Sequence, residues 1–164
     1  MSDELAQKMT AALAYNVQTG LLTWASPTAR NVTPGAAAGS LASNGYLHLK
    51  FGGRRYLAHR VVWLLAHGAW PSGVIDHING DRRDNRLANL RDVDCATNMQ
   101  NQRSAHANSA SGVLGVVWRK EKRRWTASIK RDGKAVHLGY FPTQEAARVA
   151  YVEAKRQRHP GCTL

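Results

Sequence analysis

Cysteine is scarce. The 164 residues hold two, Cys95 and Cys162, far apart and in no Cys-x-x-Cys pair. That excludes a cysteine-based structural zinc site and a disulfide framework. Long apolar runs are also missing: none approaches the ~20 residues needed to span a bilayer. The opening stretch MSDELAQKMTAALAY contains acids and no long apolar core, so it does not read as a secretory signal. These absences lead to the expectation of a cytoplasmic protein without a membrane partner. Acidic residues are few as well, 11 Asp+Glu against 23 Lys+Arg, for a net charge of +12 and a pI near 10.4. Such an excess favours a polyanionic partner, usually nucleic acid. Taken alone, the charge also fits a solvated basic surface or an anionic membrane. Hydrophobic residues make up 43% of the chain, enough for it to fold.

The charge is lopsided. Residues 103–164 hold 13 Lys+Arg and 4 Asp+Glu, or 13 − 4 = +9, whereas residues 1–102 hold 10 and 7, or +3. The part that grips a phosphate backbone is therefore expected toward the C-terminus. Along the chain, residues 1–14 suit a short helix. Asn-, Thr- and Gly-rich residues between Tyr15 and Leu21-Leu-Thr-Trp24 suit a hairpin. Residues 26–44 read as loop. Tyr46–Phe51 and Arg54–Leu57, joined by Gly52-Gly53, form a second expected hairpin. Ala58–His67 reads as a helix, with Val62, Leu65 and Ala66 at helical spacing and Gly68 as C-cap. Pro71–Leu90 is poor in apolar residues and rich in Asp, Asn, Gly and Arg. A stretch that long is either a disordered connection or a functional loop held by its own polar groups. A helix is expected over Asp94–Gln102, with Asp92 or Asp94 as its N-cap.

The residues able to do chemistry concentrate in Asp76-His77-Ile78-Asn79-Gly80-Asp81, Asp84-Asn85-Arg86, Asn89-Leu90-Arg91, Asn98 and Asn101. Phosphodiester hydrolysis requires a deprotonated water, a stabilised leaving oxygen and compensation of phosphate charge. A histidine suits the first task, since its pKa lies near neutrality, and a divalent cation suits the others. On a regular strand, Asp76 and His77 leave opposite faces, so a bend or bulge is expected if both serve one site. Asp81 and Asp84 read as metal ligands or as turn residues, one of them paired with Arg86. Each of these polar residues alone also reads as a turn or cap residue. His59 reads as a group near the phosphate or as a buried structural histidine. His48, His106 and His159 read as exposed.

The segment from His59 to Asn101, with Asp76-His77, Asn89 and Asn98, resembles the HNH nuclease family, whose fold is a hairpin and a helix around one metal (ββα-metal). The phage-encoded and intron-encoded homing endonucleases of that family are the nearest in pattern, through His59-Arg60, Trp63, His67-Gly68 and Pro71. The resemblance implies that His77 is the general base. It implies that Asn89 holds the loop and orients His77 through a hydrogen bond, and that Asp76 and Asn98 bind the metal, Asn98 standing where many members have histidine. Asn98 follows His77 by 98 − 77 = 21 residues and Asn89 by 98 − 89 = 9. A carboxylate, an amide oxygen, phosphate and water make an all-oxygen shell, which suits Mg²⁺ or Mn²⁺ over Zn²⁺.

Downstream, residues 103–111 look like a linker. Gly115–Arg119, Trp125–Lys130 and Ala135–Gly139 read as three strands, and Asp132-Gly133 as a hairpin turn. Pro142-Thr143 opens a helix with Thr143 as cap and Ala147, Ala150, Tyr151 and Ala154 on one face. Over about residues 111–160 these motifs resemble the ethylene-response-factor (APETALA-type) DNA-binding domain. The resemblance implies a sheet laid in the major groove of double-stranded DNA. Arg119, Lys120, Arg123, Arg124, Lys130, Arg131 and Lys134 are then the DNA-binding residues. Where the plant family often has arginine, this chain has Val117. Trp125, Ile129, Leu138 and Phe141 read as core, and Trp118 equally as core or as a stacking residue.

The expected fold class is α+β. Residues 1–103 form an HNH nuclease domain with its core motif at about 56–103, residues 104–111 a linker, and residues 112–160 a three-stranded antiparallel sheet with one helix. The expected activity is metal-dependent DNA cleavage of a nicking or homing type, with no protein partner implied. The rival is a non-catalytic DNA-binding regulator.

Overall fold

The computed structural model describes residues 3–26, 30, 32–105, 108–131, 133–159 and 161–164, with backbone only for Asp3 and Arg131. The expectations for His106 and Asp132 lie outside the described residues. The chain divides into two compact units, Met1–Asp94 and Cys95–Leu164.

In the first unit, helix α1 (Asp3–Ala12) leads into an antiparallel hairpin of β1 (Leu13–Tyr15) and β2 (Leu22–Trp24). The Asn16 side chain closes its turn by accepting from the amides of Gln18 and Thr19 at 2.9 and 3.1 Å. Most of residues 26–44 is loop, but Ser40–Leu41 forms β3 and pairs with β4 (Leu47–Phe51), which pairs in turn with β5 (Arg54–Leu57). Helix α2 spans Ala58–His67, as the sequence indicates, and Gly68 ends it in the left-handed conformation with its amide on Leu64 O at 2.8 Å.

The buried stripe of α2 is rotated from the expected one. Ala58, Val61, Val62 and Leu64 are buried, whereas Ala66 is exposed. They join Met9, Leu13, Leu22, Ala38, Leu49, Ile75 and Leu90 in one core. Helix α2 therefore lies against side chains from both ends of the unit, and the N-terminal hairpin is part of the same core as the Asp-His segment.

The polar stretch after α2 is an ordered hairpin. Strands β6 (Val74–His77) and β7 (Leu90–Val93) pair antiparallel, joined by a loop ending in a single helical turn at Leu87–Asn89. Asp92 is a strand residue, not a helix cap. Its carboxylate accepts from Ser72 N, Ser72 Oγ and Gly73 N at 2.7, 2.9 and 2.8 Å and pins the start of β6. Arg60 clamps the same stretch by donating to Gly73 O at 2.9 Å and Pro71 O at 3.3 Å.

The second unit opens with α3 (Cys95–Gln100), shorter than the expected 94–102. It groups here because its polar residues meet the C-terminal segment. Gly161 N donates to Gln100 Oε1 at 3.0 Å, Thr163 Oγ1 donates to Asn101 Oδ1, and the Lys155 ammonium donates to Gln102 O. Strands β8 (Val116–Arg119), β9 (Arg124–Arg131) and β10 (Lys134–Phe141) form an antiparallel sheet in the order β10-β9-β8. Helix α4 (Gln144–Arg158) packs on one face of it, capped as expected by Thr143, whose Oγ1 accepts from Ala146 N at 3.2 Å. Val116, Ala127, Ile129, Ala147 and Tyr151 are the buried centre, with Trp125, Leu138 and Phe141 packed against them. Gly115 is obligatory: its φ is +70°, and a Cβ there would lie 2.1 Å from the Tyr151 ring.

Among the described residues, no helix is long and apolar enough to cross a membrane.

Candidate active site

His77 is the last residue of β6 and is 4% exposed. The β6–β7 register runs from Val74↔Val93 to His77↔Leu90 without a shift. Asp76 and His77 therefore leave the strand on opposite faces. The bend or bulge that would bring both to one site is not there: the strand is regular through both residues, and the chain turns only beyond His77, where Gly80 N bonds His77 O at 2.9 Å. On one face, Asp76 Oδ2 accepts from Arg91 Nε and Nη2 at 2.9 and 2.7 Å, across the Asp76↔Arg91 pair. On the other face, the His77 ring lies among Tyr46, His59 and Asn85.

Asn85 stands in the polar cluster that the sequence marks, but without a role of its own there. It is 2% exposed, and its Oδ1 lies 3.1 Å from His77 Nε2. An amide oxygen only accepts, so this contact selects the tautomer with the proton on Nε2 and the lone pair on Nδ1. Asn89, expected to orient His77, does the other half of its expected work. Its Oδ1 accepts from Asn79 N at 2.8 Å and its Nδ2 donates to Asp84 O at 2.7 Å, while its backbone oxygen accepts from Ile78 N at 2.8 Å. Asn89 ties both sides of the loop together, and Asn85, four residues earlier, reaches the ring. Three asparagines and three aspartates lie from Asp76 to Asn89, both ends counted, and the loop path decides which of them faces the ring.

Asp84 binds Arg86, through Arg86 Nε on Oδ1 at 2.8 Å and Nη2 on Oδ2 at 2.6 Å, and also takes Asn79 Nδ2 at 2.8 Å. The Arg86 hydrogen bonds hold its carboxyl down at about 2. Asp81 accepts from Arg83 N at 2.9 Å in a turn of its own. Both aspartates are thus loop fasteners. Behind the loop, the Tyr15 hydroxyl donates to Asn85 O at 3.2 Å and accepts from Leu87 N at 2.9 Å. The N-terminal hairpin thereby fixes the short segment from which Asn85 reaches His77.

His59, on α2, is 4% exposed, with its ring 5.1 Å from that of His77 in an edge-on arrangement. Burial first, then repulsion from His77, Arg60 and His48, pushes its imidazole down to about 3. His59 is a neutral wall beside the base. Tyr46 packs against both histidines, at 5.3 Å from His59 and 5.9 Å from His77, and the exposed Arg82 guanidinium stacks 4.9 Å over the Tyr46 ring. Arg82 therefore places a cation one ring away from His77. His48 and His159 are not exposed as expected but half-buried, and His159 Nε2 lies 2.9 Å from Lys130 O.

Among the described residues no group of three His, Cys, Asp or Glu side chains is placed to hold a metal ion. A carboxylate and an amide oxygen are the hard donors a magnesium-type cation takes, but Asp76 Oδ2 already accepts from Arg91, and Asn98 belongs to the other unit. Asn98 is half-buried on α3, with its side-chain amide uncommitted among the described residues.

In the second unit, Arg119, Lys120, Arg123, Arg124, Lys130 and Lys134 are all exposed, as a phosphate-binding role requires. Arg131 ends β9, and its side chain lies outside the described ones. Arg123 takes φ +48° in the turn before β9. Trp118 is 42% exposed and meets Trp125 edge-on at 5.3 Å.

Residues 56–103 match the HNH endonuclease family. That stretch contains Asp76, His77, Asn85, Asn89 and Asn98. The chain is also 36% identical over 77 residues to Protein 3.8 of Escherichia phage T7, an alignment that takes in 46% of this chain and 63% of that protein. The chain thus spans somewhat less than two thirds of this phage relative's length. No solved structure matches.

Proposed function

We propose that this protein is a metal-dependent DNA endonuclease in which the first unit carries the general base and the three-stranded sheet of the second grips the duplex. The observation that carries the reading is the His77–Asn85 pair. A buried imidazole is held by one nitrogen on an acceptor-only amide oxygen, so its other nitrogen is the base, within a stretch that matches HNH endonucleases. His77 Nδ1 takes a proton from the attacking water. Asn85 holds the ring so that this nitrogen keeps one orientation, and His59 and Tyr46 prevent the ring from turning. Asn89 fixes the loop, and Arg82 offers a phosphate contact. Asp76 and Asn98 would hold Mg²⁺ or Mn²⁺; Asn98's part rests on the family spacing. The bound ion supplies positive charge to the phosphate and the leaving oxygen.

One such site hydrolyses one strand, so each chain nicks, and a double-strand break requires two chains or two binding events. The second unit, with a charge of +9 over residues 95–164, directs this activity to preferred sites, in the manner of a homing or other phage-borne nuclease. The test is supercoiled plasmid with Mg²⁺ or Mn²⁺, beside an EDTA control and the His77→Ala protein. Metal-dependent nicked circles that disappear with His77→Ala support the reading. Plasmid, and DNA from a plausible phage-host target, that shift on a gel but stay uncut would overturn it in favour of a DNA-binding regulator.

A further inference from the structure

Helix α4 covers one face of the β8–β9–β10 sheet and leaves the other open. The register identifies what that open face carries. Val117 pairs with Thr126, which pairs on its other side with Tyr140. These three form a row across the middle of the sheet. Val117 is 47% and Tyr140 53% exposed, while Thr126 is buried between them and its Oγ1 lies 3.2 Å from His137 Nδ1. The His137 ring leans on Tyr140 at 4.7 Å. One end of the same face has the Arg119↔Arg124 pair, and toward the other end Lys130 pairs with Ala135. Arg119, Arg124 and Lys130 are exposed.

The face is therefore cationic at both ends, and its middle row sets the apolar Val117 and the Tyr140 ring on either side of Thr126. From Arg124 to Lys130 is six residues of strand, or about 20 Å at ~3.3 Å per residue. That length straddles a major groove about 12 Å wide. Cations at the ends then meet the two phosphate backbones, and the middle row meets the base edges. Neither a valine nor a threonine buried against histidine offers the fork of donors that reads guanine. An exposed valine methyl pair beside an aromatic ring does offer contact to the one apolar group on the major-groove edge, the thymine C5-methyl.

We infer that the Val117–Thr126–Tyr140 row is a thymine reader, so that the sheet prefers duplex sites with a thymine beneath Val117 and Tyr140. This rests on the reading of the second unit as the duplex-gripping unit. The row also discriminates between nucleic acids, because uracil lacks the methyl group.

The test uses the full chain in EDTA, which silences cleavage, with selection from duplexes containing a random 20-base-pair core. Selected duplexes are then remade with deoxyuridine at one thymine position at a time. The expected result is a recurrent thymine whose replacement weakens binding about fourfold, the equivalent of one buried methyl at ~0.8 kcal/mol. In Val117→Ala the loss at that position shrinks toward onefold, and in Val117→Arg the selected base moves to guanine. Both variants replace an exposed side chain on the face away from the core, and unchanged unfolding temperatures confirm that they fold. If duplexes are selected but uracil binds as well as thymine at every position, the thymine reader is overturned while the gripping unit stands. If no duplex is bound, or if duplex binding is unchanged by alanine at Arg124 and Lys130 together, both are overturned. Equal affinity for an RNA duplex of the selected sequence likewise overturns the thymine reader.

Discussion

Replacing Asn85 with leucine is the sharpest perturbation available to the His77 site. The two side chains are close in volume, and residue 85 is 2% exposed, so the change removes an acceptor without opening a large cavity. Its cost has two parts. The hydrogen bond from His77 Nε2, at 3.1 Å, is lost in a buried setting, which destabilises the folded unit by about 1–3 kcal/mol. The ring also loses the group that selects its tautomer and orientation. Removing such an orienting partner typically lowers activity 10–100-fold, or ~1.4–2.7 kcal/mol in the barrier. The backbone of residue 85 remains anchored by the Tyr15 hydroxyl, so the loop path survives. The assay is the initial rate of plasmid nicking at saturating Mg²⁺, followed from pH 5 to pH 9 beside thermal unfolding. The expected result is a folded protein with a rate down 10–100-fold. Asn85→Asp provides the complement. A carboxylate in place of the amide favours the charged imidazole, so the acidic limb of the pH–rate profile moves to higher pH. Wild-type rates and an unmoved profile in both variants, with a large loss in Asn89→Ala instead, would refute the assignment of the orienting role to Asn85.

Four further outcomes follow from the same geometry. Arg91→Met leaves the Asp76 carboxylate, 8% exposed, without its guanidinium and should cost ~3 kcal/mol by denaturant unfolding, the low end for a buried pair because Arg91 is 25% exposed; an unchanged midpoint would show that the ion pair contributes nothing. His59 is neutral in the folded protein down to about pH 3, whereas the unfolded chain protonates it near pH 6.5, so stability is full above pH 6.5 and falls at up to about 1.4 kcal/mol per pH unit as pH drops toward 3. His59→Phe should flatten that slope in unfolding measured between pH 4 and pH 7. Gly115→Ala adds a Cβ against the Tyr151 ring at a strained φ and should lower the stability of the second unit by about 1–3 kcal/mol for each of the two effects, seen as a lower unfolding temperature and weaker duplex binding. Gly20→Ala would press its Cβ to 2.6 Å from Arg86 N, next to Asn85, and should slow nicking although Gly20 lies far from His77 in sequence; a wild-type rate would mean that the loop yields without moving Asn85.

Much of the fold is legible in the sequence where a periodic apolar pattern ends in a strong signal. The second hairpin, α2 with Gly68, and the sheet-plus-helix order of the second unit are of this kind. Strands β6 and β7 are harder to see, because Asp76, His77, Arg91 and Asp92 occupy positions where apolar alternation would announce a strand; their partners are charges and amides set by the tertiary fold. The turn of α2 about its axis is another such case. Ala66 fits the helical period as well as Val61 does, and only the arrival of β4 and the N-terminal hairpin decides which side is buried. Asp76, His77 and Asn89 stand out by type and spacing. Asn85 does not, since which asparagine of a polar loop faces an imidazole depends on a path fixed from outside the loop, by Tyr15 and Gly20. Lys155, 1% exposed with its ammonium on Gln102 O, is equally invisible in a helix whose last turn also carries Arg156 and Arg158.

The Tyr15 hydroxyl, wedged between Asn85 O and Leu87 N, has a bearing on how the proposed active site can be dissected and reused. The stretch that carries the family pattern, residues 56–103, begins 41 residues after that tyrosine (56 − 15) and would not include it. A graft of those residues into another scaffold would carry His77 and Asn85 and leave behind the hydroxyl that holds the Asn85 segment. A smallest portable version of the site therefore has its boundary upstream, where it takes in α1 and the first hairpin.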